Sequence, residues 1–215
     1  MYLSDSTLEV LRNFSQINNG IVFKEGNILN TCSQSKTVLA KAVLEDYFPK
    51  QFGIFDMKTF LSVLTLGEDK PNIEINDDCV MINSESNKSV VMYRTTDESC
   101  ITYPNIVEIP IDNCVAEFEI DEKTLKWCLQ TSRILRSTFF RFVGDGTSIK
   151  MISSNETAEK SDSVHICDSD AVFDVKIDVN HFNIIMGSYL IKVVPDKLIY
   201  LKKKDQGLEY WMVVM

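Results

Sequence analysis

The stretch DSTLEVLRNFSQI (Asp5–Ile17), followed by IVFKEGNILNTC (Ile21–Cys32), decides the fold, because the chain states the same pattern twice. An amphipathic helix leading into a hairpin returns as DEKTLKWCLQTSRIL (Asp121–Leu135) and FFRFVGDGTSIKMIS (Phe139–Ser153). Further on, FGIFDMKTF (Phe52–Phe60) is matched by FDVKIDVNHF (Phe173–Phe182), each with an aspartate opening a short apolar helix. A repeat at roughly 120 residues points to stacked, quasi-equivalent modules rather than to one catalytic cleft.

Working outward, Ser6-Thr-Leu-Glu9 forms a capping-box pattern for the first helix, whose Leu8, Leu11, Phe14 and Ile17 recur at helical spacing. Glu25-Gly-Asn27 is expected as a hairpin turn and Thr37–Leu44 as a further strand. The second helix is expected over Asp56–Leu66 with Asp56 as N-cap, followed by strands at Asn72–Asn76, Cys79–Asn83 and Ser89–Thr95. Thr96–Ile109 lacks clear periodicity and lies between the copies, so it is expected to connect a domain of residues 1–104 to one of residues 105–215. The second copy is expected to run from a strand at Asn113–Ile120 through the Asp121–Leu135 helix. A fourth helix is expected at Asp178–Met186, and the closing strands near Tyr189–Val194, Lys197–Leu201 and Leu208–Val214. The fold class is α+β, with each half of a βαβββ type.

At 215 residues, 45% hydrophobic and 25% charged, the chain carries enough apolar material for two small cores. No basic segment followed by an apolar run opens the sequence, and no apolar stretch approaches the roughly 20 residues that span a bilayer. A soluble intracellular protein without a membrane role is expected. The cysteines Cys32, Cys79, Cys100, Cys114, Cys128 and Cys167 are scattered, with no C-x-x-C, so neither a metal site nor a disulfide framework is indicated. His165 and His181 lack metal-ligand spacing, and the sequence holds no P-loop, nucleophile elbow or glycine-rich dinucleotide fingerprint. The expected protein is not an enzyme and takes no cofactor.

A net charge of −9 speaks against tight nucleic-acid binding, which needs clustered bases. The distribution says more than the sum, because the four expected helices carry as many bases as acids while the rest of the chain is acidic. Lys123, Lys126, Gln130 and Arg133 fall three, four and three residues apart, a basic stripe along one helix face with Arg136 just beyond. Ordinary solvated faces would also give such a balance.

The duplicated order, together with Leu11-Arg-Asn-Phe14, Ile17-Asn-Asn-Gly-Ile21, the Phe55-Asp…Phe60-Leu61 segment and Leu129-Gln-Thr-Ser-Arg133, resembles the sliding clamps of T-even-type bacteriophages, processivity factors of the phage DNA polymerase. The resemblance implies a DNA clamp fold, assembled as a homotrimer closed head to tail into a ring, with helices lining the hole and antiparallel sheets outside. Twelve helices at about 10 Å spacing would enclose a hole of roughly 27 Å, enough for a duplex. Its implied partners are duplex DNA without sequence preference, the replicative DNA polymerase, a clamp loader and further copies of itself, in the cytoplasm of an infected bacterial host.

On that resemblance Arg12, Lys58, Lys123, Lys126, Arg133 and Arg136 are the expected DNA-facing set. Edge strands carrying Val91 and Tyr93 in the first half, and Val164 and Ile166 in the second, are the expected subunit seam. A partner peptide is expected in a pocket beneath the connector, formed by Ile101, Tyr103, Ile106 and Val107, with Val38 and Val213 as walls. Routine core packing would explain the same apolar residues. The alternatives are a non-ring DNA-binding polymerase accessory subunit, which would show a denser basic face, and a duplicated-module structural or interaction protein.

Overall fold

The computed structural model describes residues 1–66, 70–84, 86–104, 109–157 and 159–215; Ile106 and Val107 lie outside the described residues. The chain folds as two compact units, Met1–Val107 and Glu108–Met215.

In the first unit, α1 (Asp5–Ile17) buries Leu8, Leu11 and Phe14 against the hairpin of β2 (Gly26–Cys32) and β3 (Val38–Phe48). Its cap lies earlier than the Ser6–Glu9 box: Ser4 Oγ accepts the Thr7 amide at 3.1 Å. Starting the helix at Asp5 places Leu8 and Leu11 one turn apart on the buried face.

The expected turn at Glu25–Asn27 is corrected. Strand β1 (Ile21–Phe23) pairs antiparallel with β4 (Phe52–Ile54), and Gly26 and Asn27 already belong to β2. An aromatic cluster accounts for this, because Phe23 stacks on Phe52 with centroids 4.5 Å apart and 6° between the rings, and Phe48 closes on both. These rings meet only if β1 lies beside β4. Gly53 permits the close packing, since a Cβ there would sit 2.6 Å from the Thr96 carbonyl oxygen.

Helix α2 (Met57–Leu64) buries Met57, Phe60, Leu61 and Leu64. The antiparallel sheet β5 (Asn72–Ile75), β6 (Cys79–Ser84) and β7 (Ser89–Arg94) follows, with β7 at an edge. A 3-10 turn at Glu98–Cys100 begins the connecting segment.

The second unit opens with β8 (Ala116–Ile120) and α3 (Glu122–Leu135), capped by Asp121. A four-stranded sheet follows from β9 (Phe139–Asp145), β10 (Ser148–Ser154), β11 (Ser161–Asp168) and β12 (Val172–Asp178), in the order β11-β10-β9-β12. Gly146 at φ 82° turns the β9–β10 hairpin while the Asp145 carboxylate collects the Thr147 and Ser148 amides at 3.0 and 2.8 Å. Strands β13 (Tyr189–Val194), β14 (Leu198–Lys203) and β15 (Leu208–Val213) form a meander, with β8 paired to β13.

The expected fourth helix is also corrected. Asp178 does cap a turn, accepting the Asn180 amide at 2.8 Å, but only a 3-10 turn at Val179–His181 forms. Valine, asparagine, histidine and isoleucine are weak helix formers, and the backbone has better partners. The Ile185 amide donates to Tyr210 Oη at 3.2 Å and its carbonyl accepts from Tyr189 Oη at 2.5 Å, so two buried tyrosines do the work of the helical ladder. Among the described residues, no helix is long and apolar enough to cross a membrane.

Candidate nucleic-acid face and peptide groove

The aspartates that open α2 and α3 are committed before any ligand arrives. Asp56 accepts from Thr59 Oγ1 at 2.5 Å, the Thr59 amide at 3.2 Å and Asn19 Nδ2 at 3.0 Å; the Thr59 hydroxyl contributes most to holding its carboxyl below the usual range. Asp121 receives the Thr124 amide at 2.8 Å, and its carboxyl is depressed mainly by that bond. These carboxylates stabilise helix starts and are not an acid–base pair.

The helix bases are uncommitted. Arg12 on α1, Lys58 on α2, and Lys123, Lys126 and Arg133 on α3 are exposed, as is Arg136, which follows α3 in left-handed conformation with φ 54°. None of the six enters an ion pair among the described residues, whereas Lys24, Lys50, Lys150, Lys192 and Lys204 each hold a carboxylate at 2.5–2.9 Å. Arg141 grips Asp174 with two nitrogens. On α3 the stripe stands opposite buried Leu125, Cys128 and Ser132, as the helical spacing requires. Sequence reasoning overlooked two neighbours on that exposed side, Trp127 and Ile134, which are 59% and 80% exposed and seven residues apart.

Ile101 and Tyr103 come together in the first unit beside an open groove of about 830 Å³, whose other walls include Lys24, Ile28, Asn30 and Pro104. Asn18 Nδ2 donates to the Thr102 carbonyl at 2.8 Å, fixing the segment. Ile101, 7% exposed, is chiefly a packing residue against Gly20 and Gly53, where added Cβ atoms would lie 3.1 and 3.0 Å from its side chain. Tyr103 is half-buried, with Lys24 Nζ 5.3 Å from its ring centroid and 2.7 Å from Glu98. Val38 is buried and Val213 exposed. The wall from Lys24 to Asn30 was hidden in the sequence by the false hairpin turn.

Strands β7 and β11 each have one hydrogen-bonded neighbour among the described residues. Tyr93 is spent locally: its hydroxyl donates to the Asp56 carbonyl at 2.9 Å and its ring meets Phe60 edge-on at 5.1 Å. Val91 is exposed, and Val164 and Ile166 are half-buried. The β10–β11 register jumps between Cys167 and His165, so Ile166 sits on a bulge that bends the edge.

The buried Cys128 thiol is pushed up to about 11, mainly by desolvation, and burial likewise raises Cys32, so both stay as unreactive thiols at neutral pH. Among the described residues, no three His, Cys, Asp or Glu side chains gather as a metal site.

The fold is that of PCNA-type clamps. The chain superposes on PCNA in the structure "C-terminal region of FEN-1 bound to A. fulgidus PCNA" with a TM-score of 0.74 at 15% identity, covering 97% of this chain and 94% of the other. It matches Proliferating Cellular Nuclear Antigen from Entamoeba histolytica with a TM-score of 0.71 at 9% identity, covering 98% and 95%. At the sequence level, residues 4–103 match the family described as DNA polymerase processivity factor. The chain is 30% identical to the sliding clamp of Enterobacteria phage T4 over 210 residues, 96% of this chain and 90% of that one. It is 26% identical to that of Vibrio phage KVP40 over 202 residues, 91% of each. The match to the Escherichia phage RB69 sliding clamp, 30% over 137 residues, spans 63% of this chain and 59% of that protein. The chain belongs to the sliding clamps, the DNA polymerase processivity factors.

Proposed function

We propose that three copies of this chain close into a ring around duplex DNA and tether the replicative polymerase, inside the infected bacterial host. The observation that carries the DNA face is the set of exposed helix bases without carboxylate partners. Arg12, Lys58, Lys123, Lys126, Arg133 and Arg136 are free to meet phosphates, and six spread bases suit a protein that slides. A tight sequence reader would need base-edge contacts as well. Topology keeps such a ring on DNA, so weak contacts are enough, and the acidic remainder of the chain discourages DNA from binding elsewhere. Tethering makes polymerase rebinding intramolecular, which is the origin of processivity.

The two clamp domains, residues 1–104 and 105–215, each supply helices to the wall. The wall proposed is three α-helices per chain, with the 3-10 turn at Val179–His181 in the fourth place. The seam runs along the β7 edge of one copy and the β11 edge of the next, a heterologous contact that closes by rotation. The groove beside Tyr103 receives an extended partner peptide, with Ile28, Ile101 and Pro104 as apolar walls. The remaining nominated residues, Val38, Ile106, Val107 and Val213, stay within that proposal. A clamp loader opens the ring.

Retention on DNA tests this reading. Protein loaded onto a nicked circle should resist a salt wash, then fall off once a restriction cut linearises the circle. Tight, salt-sensitive binding to short linear duplex, indifferent to free ends, would instead favour a non-ring accessory subunit.

A further inference from the structure

The groove beside Tyr103 contains a buried polar side chain whose oxygen has no partner. Ile28 and Asn30 stand two residues apart on one face of β2, and both line the groove. Ile28 is 46% exposed, whereas Asn30 is 5% exposed and its side-chain oxygen meets no donor among the described residues. The free chain therefore carries a desolvated acceptor at a cost in stability, which a leucine of similar size would avoid. The carboxamide turns on a soft terminal torsion, so a donor arriving in the groove can draw that oxygen round to meet it.

The charged groups of the rim and its other carboxamide are engaged. Lys24 Nζ holds Glu98 at 2.7 Å and Gln51 Oε1 at 2.8 Å, and Gln51 Nε2 closes on the same Glu98 carboxylate at 2.8 Å. Asn27 Nδ2 donates to the Leu44 carbonyl at 3.3 Å, and Glu25 accepts from the Tyr47 hydroxyl at 3.2 Å. With Lys24 set against both Glu25 and Glu98, the rim has no attraction for an acidic segment. The groove thus leaves open neutral hydrogen bonding at Asn30, between apolar walls. Strand β2 also has one hydrogen-bonded neighbour, β3, among the described residues, and Lys24 to Ile28 line the groove consecutively, so a strand edge borders it.

We infer that Asn30 is the residue by which the groove grips a partner's main chain: its carboxamide pairs with a backbone amide of an extended segment laid along the β2 edge. This rests on the groove reading and deepens it. A carboxamide offers a peptide group both a donor and an acceptor, which neither a carboxylate nor an ammonium does. A bond to the main chain is indifferent to the side chain beside it, so Asn30 fixes the path of the segment while Ile28, Ile101 and Pro104 select its apolar residues.

A packing role and a gripping role predict opposite signs in the free protein. Asn30→Leu should raise the melting temperature of the free chain, by removing the unmet acceptor, and should weaken binding of the intact replicative polymerase of the same phage about tenfold in calorimetric titration. Tyr103→Ala tests the groove alone. Binding weakened by Tyr103→Ala and unchanged by Asn30→Leu overturns the role of Asn30 and leaves the groove, whereas binding unchanged by both overturns the groove reading itself. A lower melting temperature for Asn30→Leu also overturns the inference, because the carboxamide would then be serving the fold. The main-chain contact is read on short overlapping peptides that tile that polymerase. In the peptide that binds, methylating one backbone nitrogen should weaken binding to the parent clamp about tenfold and add nothing to the loss in Asn30→Leu. A loss that follows a peptide side chain instead, or the absence of any binding peptide, overturns the main-chain grip.

Discussion

In the strands and turns, Arg141 gives two nitrogens to Asp174, and Lys150, Lys192 and Lys204 hold Asp145, Glu117 and Glu119 at 2.8, 2.9 and 2.5 Å. On the helices, Arg12, Lys58, Lys123, Lys126 and Arg133 end in water, and the aspartates that open α2 and α3, Asp56 and Asp121, are turned back onto helix caps. These two sets of bases therefore do different jobs. A base on a strand faces a cross-strand neighbour at a fixed short distance, so an acid placed there is met. On α3 the acids are confined to the cap Asp121 and first-turn Glu122, where the dipole favours them, leaving the rest of the exposed face of one sign. A net charge of −9 conceals this division, because the excess acid belongs to the rest of the chain.

The sharpest way to break the comparison is to remove the free set. Replacing Lys123, Lys126 and Arg133 together by alanine should lower the salt dependence of DNA retention by up to about three per chain in logarithmic slope. Thermal stability should stay within about 0.5 kcal/mol, since no described ion pair is lost. A triple variant that melts early while still holding DNA would show that these bases support the fold.

The caps come next. Asp121→Ala should cost about 1 kcal/mol by freeing the first turn of α3, and Asp121→Asn should recover most of it, as read by chemical denaturation. Acid titration then probes the committed carboxylates collectively. Asp56, Asp121, Asp145 and Asp174 have folded values below the ordinary carboxylate range, so the folded state binds fewer protons than the unfolded chain in that window. Their contribution is complete above the unfolded value of about 4 and is lost as the pH falls through the depressed folded values. Lys150→Met, which removes the largest cause at Asp145, should shrink that contribution and bring the end of its loss to higher pH, the start staying near the unfolded value. The alanine triple on α3 should leave that end in place.

Much of the fold was legible because its signals are local. The α1 and α3 boundaries follow apolar spacing, and the β9–β10 hairpin follows from Gly146 and the turn chemistry of Asp145. The failures are where a distant partner decides. Nothing near Phe23 says that it will stack on Phe52, and nothing near Ile185 says that the hydroxyls of Tyr189 and Tyr210 will take its amide and carbonyl. The site divides in the same way. The α3 stripe could be seen from its spacing, while the groove wall at Lys24–Asn30 depended on β1 leaving for β4. Trp127 and Ile134 had a signal, two large apolar residues seven apart on the polar side of an amphipathic helix, which an account of charge alone passes over.

The smallest expected effect is the most discriminating. Arg141 reaches diagonally across β9 and β12 to Asp174, two residues along from Lys176, which stands directly opposite it. Removing the guanidinium leaves Asp174 partly solvated rather than buried, so Arg141→Ala should cost well under the several kcal/mol of a buried pair, about 0.5 kcal/mol. The variant also leaves Asp174 beside Lys176, which already helps to depress its carboxyl and limits the loss. DNA retention and its salt slope should be those of the parent chain. A strand base that altered the slope as Lys123 is expected to would mean that pairing does not silence a charge toward DNA. The division between strand and helix bases would then be one of position alone.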